Sequence, residues 1–367
     1  MIRFECDYGQ GCVPEILEML QRTNLDQTAG YGNDPYCNEA RDRIRKLCDA
    51  PEADVHFLTG GTQTNATVIS AVLKPHQGVL CAPTGHIACH ETGAIEHAGH
   101  KVLVLDKALA KRAGGGTAAK ADKKAIKQSK VTAPLIRQAM EEHLQSPVHE
   151  HMVQPGMVYL AMPSENGMMY TKAELQEIHD VCRSYDLPLF LDGARLGYGL
   201  TADGNDLSFK DIASLTDIFY IGGTKCGALF GEAVVITNKA LQKDFRYAIK
   251  MCGGMLAKGR LLGIQFSVLL DGGAGRTLYE KVCRGAVEQA YRIRDAFAEQ
   301  GIRLLYDSPT NQQFPVLTKK QQKKLAADFA FELWQPVSED EDAVRFCTSW
   351  ATSAQDVNKL LAAVKKL

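Results

Sequence analysis

Lys225 and Asp192 are the two residues of this sequence whose types and placement most plainly suit chemistry. Lys225 lies in "IFYIGGTKCGALFGEAVVIT", a glycine-rich turn between two apolar runs, and Asp192 closes the run "PLFLD" just before "GARLG". Both runs read as strands, so each residue sits at or just past a strand's C-terminal end. Ligands of open α/β sheets bind outside those ends, and an amine and an acid delivered there converge on one crevice. The chemistry that suits the pair is that of pyridoxal 5′-phosphate. A lysine amine forms a Schiff base with its aldehyde, and an ionised carboxylate keeps its ring nitrogen protonated. Singly, Lys225 reads as a solvated turn residue and Asp192 as a helix cap; the pair points to the cofactor.

A phosphate-bearing cofactor needs an anchor, and "TGGTQTN" from Thr59 supplies one. Backbone N–H groups at Gly61, where a strand gives way to a helix, can hold an anion, with the Thr62 hydroxyl beside them. Thr224, next to the lysine, is a further phosphate donor. The stretch "GHIACHETGAIEHAGH" (Gly85–His100) is open to two readings. His86 can stack over a bound ring. Alternatively, His86 and His90 with Cys89 or Glu91 can ligate a metal, making the protein a metal-dependent hydrolase or metal-binding module. No established zinc spacing is present, so no metal site is assigned.

Positioning these groups takes seven short apolar runs: "VHFLT", "GVLCA", "KVLVL", "MVYLAM", "PLFLD", "IFYIG" and "AVVIT". Most lack period-two alternation, as strands buried on both faces do. Helical stretches separate most of them, one announced by the capping box Thr171–Glu174. The alternation predicts an α/β fold with a largely parallel seven-stranded sheet between helices. From about Gly253 the pattern changes to two long helices, short strands at "IRLLY", "QQFPVL", "FELWQPV" and "AVRFCTSW", and a last helix capped by Ser353. The expected division is a large domain over 1–252 and a smaller α/β domain over 253–367. The lysine-rich segment Asp106–Lys130 reads as a basic, mobile surface insertion.

Composition narrows the function. The 367 residues carry a net charge of −1, which gives no electrostatic reason to expect nucleic acid or an acidic membrane surface. No apolar run approaches spanning length, and "MIRFECDYGQ" has no signal-peptide core. Eleven cysteines, none in a Cys-x-x-Cys pair, suit reduced thiols of a cytoplasmic protein.

At the residues quoted, the sequence resembles the low-specificity threonine aldolases, fold-type-I pyridoxal-phosphate enzymes related to the β-eliminating lyases. "LDGARLGYG", "GGTKCGALFGEAVVI", "GGTQTN" and "GYGNDPY" carry the resemblance, which spans nearly the whole chain except the basic segment. It implies that Lys225 carries the cofactor, Asp192 pairs with its ring nitrogen, Gly61 and Thr62 bind its phosphate, His86 stacks on the ring and Arg195 lies beside it. It implies that Arg345 grips the carboxylate of a small amino-acid substrate. It further implies a homodimer or homotetramer in which Tyr31 and basic residues near Lys258 serve a neighbouring subunit. Three places depart from the family: Cys6-Asp7-Tyr8 replaces Ser-Asp-Thr at a substrate contact, the basic phosphate ligand expected after "KMCGGM" has three candidates in Lys250, Lys258 and Arg260, and Glu165 in "MPSENG" stands where a histidine is usual. A carboxylate there can still accept a β-hydroxyl proton. The implied reaction is retro-aldol cleavage of a β-hydroxy-α-amino acid, threonine giving glycine and acetaldehyde. β-Elimination or racemisation with the same cofactor is the nearest alternative.

Overall fold

The computed structural model describes residues 1–106, 129–272 and 275–367, so nearly all of the basic segment lies outside the described residues. A short strand, β1 (Ile2–Arg3), opens the chain. The central sheet is built from β2 (Asp54–Leu58), β3 (Gln77–Cys81), β4 (Lys101–Val104), β5 (Gln154–Ala161), β6 (Leu189–Asp192), β7 (Ile218–Gly222) and β8 (Glu232–Ile236). All seven apolar runs are strands. Their order across the sheet is β2-β8-β7-β6-β5-β3-β4, with β8 antiparallel to both its neighbours and the other pairings parallel. The alternation of strand and helix therefore yields the expected α/β architecture. β6, β7 and β8 are buried along their whole length, as strands covered on both faces must be. At the exposed edge, β4 presents Lys101, a charge that discourages further strand pairing.

One close approach matters for function. β6 and β7 end side by side, with the Gly222 N–H donating to the Gly193 carbonyl (3.0 Å). A Cβ on Gly193 would lie 1.9 Å from the Tyr220 carbonyl oxygen, and one on Gly222 would lie 2.4 Å from that of Ala194. Only glycine at both places lets the two strand ends run this close, which brings Asp192 and Lys225 to one crevice.

The C-terminal part holds β9 (Gln312–Gln313), β10 (Val316–Thr318), β11 (Phe329–Ala330), β12 (Glu332–Pro336) and β13 (Glu341–Cys347). β13 pairs with β9, β10 and β12. Phe4, Phe297, Leu317, Phe346 and Leu360 form a core of their own. The stretch "IRLLY" is not a strand: Leu304 forms an isolated bridge with Pro315, whose missing N–H denies the ladder a donor. The long helix Leu278–Glu299 starts at a capping box (Thr277, Glu280), and the last helix is capped by Ser353 as its sequence indicated.

The N-terminal arm crosses between these parts. β1 pairs with β11, the Val13 N–H donates to the Gly227 carbonyl, and Asp7 lies between them, fully buried. Arg195 Nε and Nη2 donate to its two carboxylate oxygens at 2.7 and 3.1 Å, and Asn311 Nδ2 donates at 3.0 Å. Burial alone would raise the Asp7 carboxyl, but the Arg195 and Lys225 charges and these hydrogen bonds hold it well below the usual carboxylate range.

Two outcomes follow for stability. Gly193→Ala should cost roughly 3 kcal/mol or more, because backbone rather than a movable side chain must yield; thermal unfolding reads the loss directly. Asp7→Asn leaves a buried guanidinium uncompensated and should cost about 3–5 kcal/mol. Because folding depresses the Asp7 pKa, its contribution is complete above the unfolded value near 3.8 and drains away as the pH falls below it. Acid unfolding of wild type and Asp7→Asn should therefore converge only at strongly acidic pH.

Candidate active site

A cavity of about 300 Å³ opens at the carboxyl edge of the sheet. Six strands deliver its walls. β2 runs into Thr59-Gly60-Gly61-Thr62, the loop after β3 brings His86, the loop after β5 brings Pro163 and Glu165, β6 ends in Asp192, and β7 leads to Thr224 and Lys225. β8 runs the other way, so its first residue, Glu232, reaches the same edge. Tyr8 from the N-terminal arm lines the mouth, with the Lys225 amine 6.0 Å from its ring centre.

Asp192 is buried and held by four donors. Tyr159 Oη donates at 2.5 Å, Asn65 Nδ2 at 3.2 Å and the Ala194 N–H at 3.0 Å; Tyr220 Oη donates as well. Burial would raise this carboxyl, but the tyrosine and backbone hydrogen bonds outweigh it and leave the pKa lowered. Lys225 shifts downward because its amine is buried and faces the Arg195 charge, opposed by Asp7 and Asp192. A lowered lysine has more of the neutral, nucleophilic amine at a given pH.

Glu165 is buried too, and its carboxyl is pushed up to about 7, chiefly by burial. Its Oε1 accepts from the His86 N–H at 2.8 Å, while Oε2 has no hydrogen-bond partner among the described residues. The His86 ring is tied through Nδ1 to Glu91 (2.8 Å), and Glu91 also accepts from Asn65 (2.7 Å). One relay thus runs from His86 through Glu91 and Asn65 to Asp192. Cys89 donates to the Pro83 carbonyl, and among the described residues no three potential metal ligands converge.

The expected site residues divide into two groups. Gly61, Thr62, His86, Glu165, Asp192, Arg195, Thr224 and Lys225 all line the cavity. Arg345, Cys6 and Tyr31 do not. The Arg345 guanidinium lies over Trp334 and is engaged by Gln312 (2.8 Å), the Glu5 carbonyl (3.1 Å) and the Glu332 carboxylate. Cys6 lies on the arm between Glu5 and Asp7. Tyr31 is exposed, with the Lys250 amine 5.1 Å from its ring centre and no place in this chain's own cavity. Asn65, Tyr159, Tyr220 and Glu232 join the site without having been singled out from sequence; Glu91, named there only as a metal ligand, and Asp7, named only within the departing Cys6-Asp7-Tyr8 segment, join it in other roles. A tyrosine in a fully buried strand and a glutamate at the start of one were the available signals, since each needs a polar partner.

These residues fit pyridoxal 5′-phosphate. The helix Gly61–Val72 begins at Gly60 without a side-chain cap, leaving first-turn N–H groups for an anion. Asp192 is an ionised acid held by fixed donors, which suits a pyridinium, and Lys225 is an amine within the same cavity.

Similarity to known proteins bears on the family and the fold. The β-eliminating lyase family model matches residues 9–326. The chain is similar to the structure of Leishmania major threonine aldolase, at 39% identity over 100% of this chain and 99% of that one, with a TM-score of 0.90. It is 26% identical to a low-specificity L-threonine aldolase of Pseudomonas aeruginosa, over 98% of this chain and 95% of the relative. An aspartate aminotransferase of Thermus thermophilus shares the fold, with a TM-score of 0.69 at 14% identity, 100% coverage of this chain and 92% of the other. The chain belongs to the β-eliminating lyase family, whose members use pyridoxal phosphate.

Proposed function

We propose that the protein cleaves the Cα–Cβ bond of β-hydroxy-α-amino acids, threonine giving glycine and acetaldehyde. The observation that carries this reading is the facing of Glu165, a buried carboxyl with an unpartnered oxygen, toward the cavity shared by Lys225 and Asp192. Bound at Lys225, pyridoxal phosphate supplies an electron sink conjugated to the substrate's Cα. Lys225 anchors it with a buried amine, and Asp192 holds a proton on its ring nitrogen by charge. Gly61, Thr62 and Thr224 hold the phosphate, and His86, oriented by Glu91, packs against the ring. Arg195 lies beside the ring with its charge balanced by Asp7. Glu165 removes the β-hydroxyl proton; His86 is the other group able to do so. Arg345 takes the substrate carboxylate in place of Glu332, a bidentate task for which a guanidinium is suited, and Cys6 borders that contact.

The same reading places the enzyme in the cytoplasm as a homodimer or homotetramer. Eleven free thiols are in keeping with a reducing compartment, and no helix among the described residues is long and apolar enough to cross a membrane. Tyr31 and Lys258 serve the cavity of a neighbouring copy, in keeping with the exposure of Tyr31 outside its own.

Purified protein incubated with threonine should release glycine and acetaldehyde; ammonia with a keto acid and no glycine would overturn the aldol reading. Lys225→Ala should fail to develop the visible absorbance that wild type gains on adding pyridoxal phosphate. Glu165 acts as a base only when ionised, so kcat should rise with pH through about 7 and level off above it. Glu165→Gln should lose that limb and about 10²–10⁴-fold in kcat.

A further inference from the structure

Glu232 is the one acid of the cavity to which the proposed reaction assigns no part. It opens β8, where the register sets it opposite Leu58 at the end of β2 and opposite Gly222 at the end of β7. It therefore stands between the two strand ends that lead to the phosphate turn at Thr59–Thr62 and to the Thr224-Lys225 turn. Its Oε2 accepts from the Gly223 N–H (3.1 Å), and its Oε1 accepts from Thr224 Oγ1 (2.8 Å). Thr224 Oγ1 itself accepts from the Gly231 N–H (3.0 Å). With Glu232 ionised, the Thr224 hydroxyl proton is thus spent on it and is not offered to an anion in the cavity.

An ionised Glu232 beside a phosphate dianion would be repelled, and it would also keep that proton. A neutral Glu232 removes both obstacles. Its carbonyl oxygen still accepts from Gly223, and its O–H donates to Thr224 Oγ1, which leaves the threonine O–H free to turn to the phosphate. We propose that Glu232 is a proton-holding positioning residue of the phosphate subsite, carrying a proton whenever the phosphate is bound, taking it from solvent where it was ionised beforehand, and passing the hydrogen bond on through Thr224. The inference rests on the cofactor reading given above.

The surroundings suit this. Gly61 and Thr62 present backbone N–H groups and a hydroxyl but no charge, while Thr59 donates its N–H and hydroxyl to Gln63; the charged groups facing Glu232 are Lys225 and Asp192, with the Tyr220 phenol nearby. Burial pushes the Glu232 carboxyl up to about 8, against the Thr224 hydrogen bond and the Lys225 charge, with Asp192 adding to the rise. Near neutral pH the acid form then prevails, and above about 8 it does not. A phosphate monoester is already dianionic above about 6, so its own titration lies outside this window.

The test measures binding of pyridoxine 5′-phosphate, which has ring and phosphate but no aldehyde, to the cofactor-free protein between pH 7 and 9. Glu232→Gln mimics the acid form: its amide oxygen can accept from Gly223 and its NH₂ can donate to Thr224. Wild type should match Glu232→Gln at pH 7 and fall about tenfold behind it by pH 9. The titration of the ring is common to both proteins and cancels; that of Lys225, which the Glu232 charge raises, is removed by measuring pyridoxine in parallel with each protein. Parallel profiles, or a deficit of the variant at every pH, overturn the proposal while leaving the cofactor reading intact. Absence of binding to wild type at any pH overturns both. Wild type alone provides a second arm that needs no variant. Calorimetry at pH 9 in buffers of different ionisation enthalpy should show about one more proton taken up with pyridoxine 5′-phosphate than with pyridoxine, and about none at pH 7. Equal uptake at pH 9 overturns the proposal.

Discussion

The hydrogen bonds that keep Asp192 ionised away from water are the constraint on which the rest of the site depends. An uncompensated buried carboxylate would cost several kcal/mol or become protonated. Four donors prevent that, and each comes from a different element: Tyr159 from β5, Tyr220 from β7, Ala194 from the turn after β6, and Asn65 from the helix after β2. The strand order across the sheet is therefore also a list of the groups that solvate one acid. Glu91 carries the arrangement further, since it fixes Asn65 on one side and His86 on the other.

Opposite charges inside the cavity are paired by geometry rather than left to solvent. Arg195 does not stand free beside the cofactor position. Its charge is met by Asp7 from the N-terminal arm, and that pair in turn biases Lys225 in opposing directions. The carboxyls divide accordingly. Asp7 and Asp192 are held ionised by donors and cations, while Glu165 and Glu232, with fewer, are pushed upward by burial. Three acids lining one crevice, with Asp7 buried behind Arg195, thus present two different protonation behaviours, an arrangement that supports acid–base work near neutral pH.

Much of this was legible in the residues. The seven apolar runs became the seven strands because burial on both faces leaves a continuous signature that needs no tertiary information. Lys225, Asp192 and Gly61 could be placed because turns after such strands share one edge. Tyr159 and Tyr220 could not, since a tyrosine in an apolar run looks like ordinary strand packing until its hydroxyl's partner is known. Glu232 escaped for a related reason. The run "AVVIT" says nothing about direction, and only the antiparallel pairing of β8 with β2 and β7 turns its first residue toward the site. Arg345 shows the converse: its strand is where the sequence suggested, yet its guanidinium is engaged by Glu332, Gln312 and the Glu5 carbonyl, partners no spacing could reveal.

The arm that carries Asp7 also bears on how the chain is made. β1 pairs with β11, so Ile2 meets Phe329 and Arg3 meets Ala330. A chain synthesised from its N-terminus holds that arm without its strand partner until nearly the whole sequence has emerged. Asp7 meets Arg195 midway and gains Asn311 only later. Contacts so distant in sequence form slowly, and the mouth of the cavity, lined by Tyr8 from the same arm, is among the last parts to assemble. A nascent chain stalled before its final third would carry the lysine and its acid on a finished sheet edge, open to water on the side the arm later covers.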